Sequence, residues 1–240
     1  MKTDSLPGQV VSLSSRRLVQ DVSLPGTGEA VLRDAVLEKP FDGAVTGFLL
    51  ACLPRSKAPV LWVQDRLSQR ENGRIYGAGL AGFGFAGPLL RVEVSHARDV
   101  LWAMEEGATC AGLAAVVGEI HGAPPVLDFT ATKRLALRSE RSGVPVWLVR
   151  SGDPGVLSAA RERWRIGSLP SAAHPDDAEA PGVPLWQAEL FRARSRAPGT
   201  WVARHEPGAG GRPHRLRLLS GSGDGSLAAA GGAAADAAGG

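Results

Sequence analysis

Through Val149 the chain alternates short unbroken apolar runs with stretches of helical periodicity, the pattern of strands and helices following one another in an α/β fold. Ala30 to Glu38, carrying Val31, Leu32, Val36 and Leu37, reads as a strand, and Thr46 to Leu53 as the helix that follows it, closed by Pro54. Pro59 to Asp65 is apolar almost to its end, as a strand covered on both faces is. Leu89 to Val94 gives a further strand. From His96 to Thr109, residues Ala97, Val100, Leu101, Met104 and Ala108 recur at helical spacing and predict one buried stripe. Trp102 falls outside that stripe, beside Arg98, Glu105 and Glu106, and reads as a packing residue at the sheet margin more readily than as a partner anchor. Leu113 to Val117 is the next strand. Asp128 is placed to cap a helix that stops at Gly143, and Val144 to Val149 follows as a strand. The glycine-rich stretch Ile75 to Phe85 lacks G-x-G-x-x-G spacing between a strand and a helix, so it reads as a short helix with turns and not as a dinucleotide site.

From Ser158 the pattern changes. A short helix to Arg163 is expected, then strands over Trp164 to Leu169, Pro184 to Ala193 and Gly199 to His205, close enough in sequence to pair antiparallel and extend one edge of the sheet. The predicted architecture is therefore α/β: a twisted, mostly parallel sheet flanked by helices, with antiparallel strands added at the C-terminal edge. Residues 1–28, rich in turns, read as a loosely packed lead-in, 29–219 as the domain, and 220–240 as a disordered Gly/Ala-rich tail.

With 240 residues, 44% of them hydrophobic and 21% charged, the composition is that of a globular protein. No apolar run reaches the roughly 18 residues of a membrane span, and the N-terminus has no basic segment leading into an apolar core, which points to the cytoplasm. Cys52 and Cys110 sit in apolar segments without metal-ligand spacing and read as buried thiols. The acidic stretch Pro170 to Gly182, with His174, Asp176, Asp177 and Glu179, reads as a solvated turn. The five histidines are dispersed and form no Ser/His/Asp or Cys/His grouping.

The turn between the first strand and the first helix, Lys39-Pro40-Phe41-Asp42-Gly43-Ala44-Val45-Thr46, stands where a phosphate-binding loop belongs. Such a loop reads G-x-x-x-x-G-K-[ST]: the glycines let backbone amides curl around the phosphates, the lysine reaches the terminal phosphates and the hydroxyl holds magnesium. Here only Thr46 is kept. Lys39 replaces the first glycine, Ala44 the second and Val45 the lysine, so both the permissive backbone and the essential charge are missing.

This order of elements, headed by a failed phosphate loop, resembles the RecA-like core and, more narrowly, the ImuA family of bacterial damage-response proteins. The likeness is carried by Ala30 to Thr46, Pro59 to Asp65, Ala97 to Glu106, Leu113 to Glu119, Leu127 to Leu148, Arg163-Trp164-Arg165 and Pro198-Gly199-Thr200-Trp201, in their order and spacing. The resemblance places the recombinase's catalytic glutamate at about Arg98, its magnesium-supporting aspartate at Gly118 with Glu119 one residue late, and its phosphate-sensing glutamine at about Arg150. It implies a protein without ATPase activity and without a cofactor, an accessory of DNA-damage-induced translesion mutagenesis. It would act through contacts with an ImuB-like inactive polymerase, with RecA, or with both, and through ImuB with an error-prone replicative-type polymerase. RecA activity would be blocked or capped. A SulA-like division inhibitor binding FtsZ is the alternative, because that family also has a RecA-related fold without a phosphate loop.

The net charge of +3 is uneven: Arg192, Arg194, Arg196, Arg204, Arg212, Arg215 and Arg217 crowd a segment whose single acid is Glu206. On a strand Arg192, Arg194 and Arg196 would share one face, with Trp201 on the next strand. Three readings stay open for this surface: a solvated outer sheet face, a site for an acidic protein partner, or single-stranded DNA tracked by cations and stacked on an aromatic.

Overall fold

A computed structural model describes residues 29–220, apart from 86, 153, 154, 156, 178 and 209–213. Residues 1–28 and 221–240, and with them most of the expected lead-in and tail, lie outside the described residues, as does Arg212. The chain builds β1 (Leu32–Leu37), α1 (Ala44–Cys52), β2 (Val60–Asp65), α2 (Arg66–Asn72), a 3-10 helix (Gly77–Phe83), β3 (Leu89–Val94), α3 (Ala97–Gly107), β4 (Ala115–His121), α4 (Phe129–Ser142), β5 (Val146–Ser151), β6 (Glu162–Leu169), β7 (Leu185–Ala193), β8 (Gly199–Glu206) and β9 (Arg215–Ser220).

The nine strands of the described residues form one sheet in the order β3-β2-β4-β5-β1-β6-β7-β8-β9. β3 through β6 in that order pair parallel, while β6, β7, β8 and β9 pair antiparallel, so the expected α/β sheet with an antiparallel edge is present. The chain moves one way along the sheet from β1 to β2 and the other way from β3 to β4 and β5. Because parallel crossovers are right-handed, the connecting helices must lie on opposite faces. The packing agrees: α1 and the 3-10 helix share one cluster with Trp62, Trp147, Trp164 and Trp186, and α3 and α4 share the other with Val63, Ile120 and Leu148.

Local signals explain most boundaries. Asp128 Oδ1 accepts the Ala131 amide at 2.7 Å and starts α4, and Gly143 ends it at φ 80. Asp65 Oδ1 does the same for α2 through the Ser68 amide at 2.7 Å. The central strands β2, β4 and β5 are covered on both faces, which is why their sequences run apolar without alternation.

Two segments depart from expectation. Ser158 to Arg163 is not a helix. The Arg161 amide donates to Leu32 O at 2.9 Å, and Glu162 and Arg163 already belong to β6, where they pair beside Arg33 and Asp34 of β1. The two alanines favour a helix only weakly, and the open hydrogen-bonding edge of β1 outweighs that preference. β9 takes the basic segment that ends at Ser220 as the last strand, one residue into the expected tail. Cys52 is buried as expected, whereas Cys110 is exposed in the turn after α3. Among the described residues no helix is long and apolar enough to cross a membrane.

Candidate functional site at the carboxyl ends of the parallel strands

Ligands of open α/β sheets sit at the carboxyl ends of the parallel strands, and the residues of the failed phosphate loop lie there, between β1 and α1. Lys39 is exposed, Ala44 and Val45 are buried in the α1 cluster, and Thr46 is half-buried in the first turn of the helix. The place an anion would take at the head of α1 holds a carboxylate of the chain itself. Asp42 Oδ1 accepts the Ala44 amide at 2.9 Å and the Ser168 hydroxyl at 2.5 Å, and Oδ2 accepts the Ser168 amide at 2.8 Å. Partial burial alone would raise the Asp42 pKa, but the hydrogen bonds from Ser168 and Ala44 and the charge of Lys39 prevail and hold it below the usual range. Phe41, at φ 60 and 73% exposed, makes the sharp turn that brings Asp42 inward. Glu38 is tied to the same strand through its amide and Ile166 O at 2.9 Å, so the loop lies along β6.

The other positions that the resemblance marks are equally unlike a nucleotide site. Arg98 is exposed on α3 beside Asp99. Gly118 has no room for a side chain, since a Cβ there would lie 2.1 Å from Met104 Sδ. Arg150 turns to the α4 face, where its Nη1 and the Nε of Arg163 each lie 3.2 Å from Asp34 Oδ2 in a fully enclosed cluster.

Glu119 anchors a network that motif reading missed. Its Oε1 accepts the Trp62 indole N–H at 2.6 Å and its Oε2 the Asn72 amide at 3.3 Å. Asn72 also donates to Ser151 Oγ at 3.2 Å, and His121 Nδ1 lies 3.0 Å from the same hydroxyl. Ser68 bonds the backbone of Glu119 and His121. Burial, assisted by the negative charge of Asp65, pushes the Glu119 carboxyl above its ordinary value against the hydrogen bonds of Trp62, Asn72 and Gln64. A carboxyl so enclosed makes a poor magnesium ligand, and Ser151, 2% exposed, offers no hydroxyl to a substrate. What the network does is bind the ends of β2, β4 and β5 to α2. Its members lie up to 89 positions apart, between Trp62 and Ser151, so no local spacing reveals it.

The basic carboxy-terminal segment does not form one surface. β7 ends at Ala193, so Arg194 and Arg196 follow in a bend and do not alternate on a strand with Arg192. Arg196 turns inward, its Nε 2.9 Å from Glu162 Oε1 and its guanidinium 5.0 Å from the Trp164 ring. Arg194 lies over α4, in a groove with Lys133, Leu137 and Arg161. Trp201 is half-buried, its ring tilted against Trp164 at 5.9 Å. Arg204 and Arg217 are register neighbours on the outer face of β8 and β9, with Arg215 one step along and Arg217 paired to Glu206 at 3.0 Å. Trp102, expected to pack, is instead 65% exposed. In the acidic stretch the polar contacts are local, from the Asp176 amide to His174 and the Glu179 amide to Asp177, as in a solvated turn. No protein-family model and no curated protein matches the chain.

Proposed function

We propose that this chain is a catalytically silent RecA-like accessory protein of DNA-damage-induced translesion mutagenesis, acting by contacts with an ImuB-like inactive polymerase, with RecA, or with both. The observation that carries the reading is the Asp42 carboxylate at the head of α1. A carboxylate of the chain held there repels a phosphate by charge and already accepts the Ala44 amide, with the Ser168 amide and hydroxyl. The parallel sheet with β1 between β5 and β6, extended by antiparallel strands beyond β6, supports the RecA-like part of the reading. A subunit with a recombinase shape and no nucleotide chemistry is suited to occupy a filament end and cap it.

Mixing the purified chain with RecA and with an ImuB-like protein tests this. The expected result is a stable complex with at least one of them, inhibition of strand exchange where RecA is bound, and no ATP turnover by the chain itself. Turnover above background, or capture of FtsZ with neither of the two expected partners, overturns it.

A further inference from the structure

We infer that the cleft between α2 and the β3–α3 turn binds the phosphodiester backbone of single-stranded nucleic acid. The cleft is open, about 620 Å³, and is walled by Arg66, Arg70 and Arg74 with Gln69, Glu93 and Ser95. It sits at the carboxyl ends of β2 and β3, a different part of the edge from the Asp42 loop and well removed in sequence from the arginines of the last strands. Arg66 and Arg70 are one helical turn apart on the same face of α2, and Arg74 follows the Gly73 cap that ends the helix, so the three arginines meet in the wall of one cleft.

Their present partners hold them loosely. Arg70 pairs with Glu71 at 2.9 Å and Arg74 with Glu93 at 3.3 Å, with the two arginine side chains 75% and 60% exposed. Exposed pairs of this kind contribute little and give way to a phosphate, which accepts two parallel guanidinium bonds. Gln69 accepts from Arg74 Nε at 3.2 Å through its oxygen, while its amide nitrogen has no hydrogen-bond partner among the described residues. That nitrogen is buried, so Gln69 steadies Arg74 through its oxygen and offers the cleft no donor of its own.

The wall also says what the ligand is not. Among the described residues that wall it Val94 is the one apolar side chain and none is aromatic, so they offer little to hold a base or the hydrophobic body of a small metabolite. Three cations in one open cleft with one carboxylate, Glu93, fit the backbone of a single strand, read without sequence preference. This inference does not rest on the proposed role with RecA or ImuB and stands or falls separately.

Fluorescence anisotropy with a fluorescein-labelled oligo(dT) tests it. The whole chain is expected to bind with a slope of log association constant against log salt of about −2, three contacts at roughly 0.7 each for a single strand. The triple variant Arg66→Gln, Arg70→Gln, Arg74→Gln is expected to bind at least tenfold more weakly at low salt. The Arg→Lys triple variant should keep most of the slope, which separates lost charge from lost fold. An Arg204→Gln, Arg215→Gln variant should bind as the parent does. No binding of oligo(dT) at low salt, a Gln variant that binds unchanged, or tighter binding of polyglutamate than of oligo(dT) overturns the inference, the last in favour of an acidic protein partner.

Discussion

Asp42 and Ser168 are joined twice, with the Ser168 amide 2.8 Å from Oδ2 and its hydroxyl 2.5 Å from Oδ1, across a sequence separation of 126 residues. The same carboxylate accepts the first amide of α1. One side chain therefore closes the turn after β1, supplies the charge at the head of the helix and fixes both to β6. Where a helix N-terminus binds a phosphate, the bound anion supplies that charge; here a carboxylate of the chain does so.

Asp42→Asn should lower the unfolding free energy by about 1 kcal/mol at pH 7, because the helix start loses its negative charge and one of the Ser168 donors meets an amide nitrogen in place of an oxygen. The sign with pH follows from the lowered Asp42 pKa: the folded state binds this proton less readily than the unfolded chain does. Its contribution is then complete above the ordinary value of about 3.9 and is lost as the pH falls through the folded value. Urea unfolding of both proteins at several pH values checks this, and the gap between them should close in acid. A gap that stays constant refutes the assignment.

Rebuilding the motif should damage the protein before it helps. Val45 is 1% exposed inside the cluster of α1 with Trp164 and Trp186. In Val45→Lys an ammonium enters that cluster with no partner, at a cost of roughly 3–5 kcal/mol. The Ala44→Gly, Val45→Lys double variant is expected to have a much lower melting temperature and to gain no ATP binding by calorimetry. A folded double variant that binds ATP would mean the site is only mutated and not rebuilt around Asp42.

The parallel half of the fold was legible because burial on both faces leaves continuous apolar runs, as in Val60 to Val63 and Val146 to Val149, and because Asp128 and Gly143 are unambiguous helix limits. α2 was not, since Arg-Leu-Ser-Gln-Arg-Glu-Asn has no apolar stripe and its one signal is the capping spacing of Asp65 and Ser68. Helical propensity misled at Ala159 and Ala160 because the partner that overrides it, the edge of β1, lies far away in sequence. The site was legible only as a loss. That Val45 is not a lysine can be read from one residue, but that Asp42 fills the space needs Ser168. In the same way Arg196 counts as a surface charge until Glu162 and Trp164 are placed beside it.

Gly118 is a second position without room for the side chain the resemblance would place there. It lies in β4 opposite Met104, whose Sδ, Cγ and Cε all come within 3 Å of a Cβ built there. Gly118→Ala should cost about 1–3 kcal/mol by overpacking, and Gly118→Asp more, since an unpaired carboxyl is added to an apolar cluster. Combining Gly118→Ala with Met104→Ala should cost less than the sum of the two, because the second change opens the space the first one fills. Gly43→Ala, with nothing within 4 Å of the new methyl, is the control and should stay within about 0.5 kcal/mol. Denaturant midpoints of the set decide; strict additivity would remove Met104 as the cause.

Acid should weaken the far end of the sheet through His205. This residue of β8 is 2% exposed, stacked between Phe83, at 4.9 Å, and His214, at 5.4 Å, and its Nε2 has no hydrogen-bond partner among the described residues. Burial first, then the charges of His214 and Arg55, push its pKa down to about 4 from an ordinary 6.5. A lowered base pKa means that the unfolded chain takes up the proton first, so stability is complete above about 6.5 and declines as the pH falls toward 4. Charging His205 has a direct structural consequence, because the imidazolium would sit against His214 and under the 3-10 helix that holds Phe83. The loss should therefore appear first as exchange of the β8 and β9 amides, ahead of those in β4 and β5. His205→Phe should flatten the stability profile between pH 6.5 and 4 while leaving the sheet intact. An unchanged profile in that variant would assign the acid sensitivity to another group.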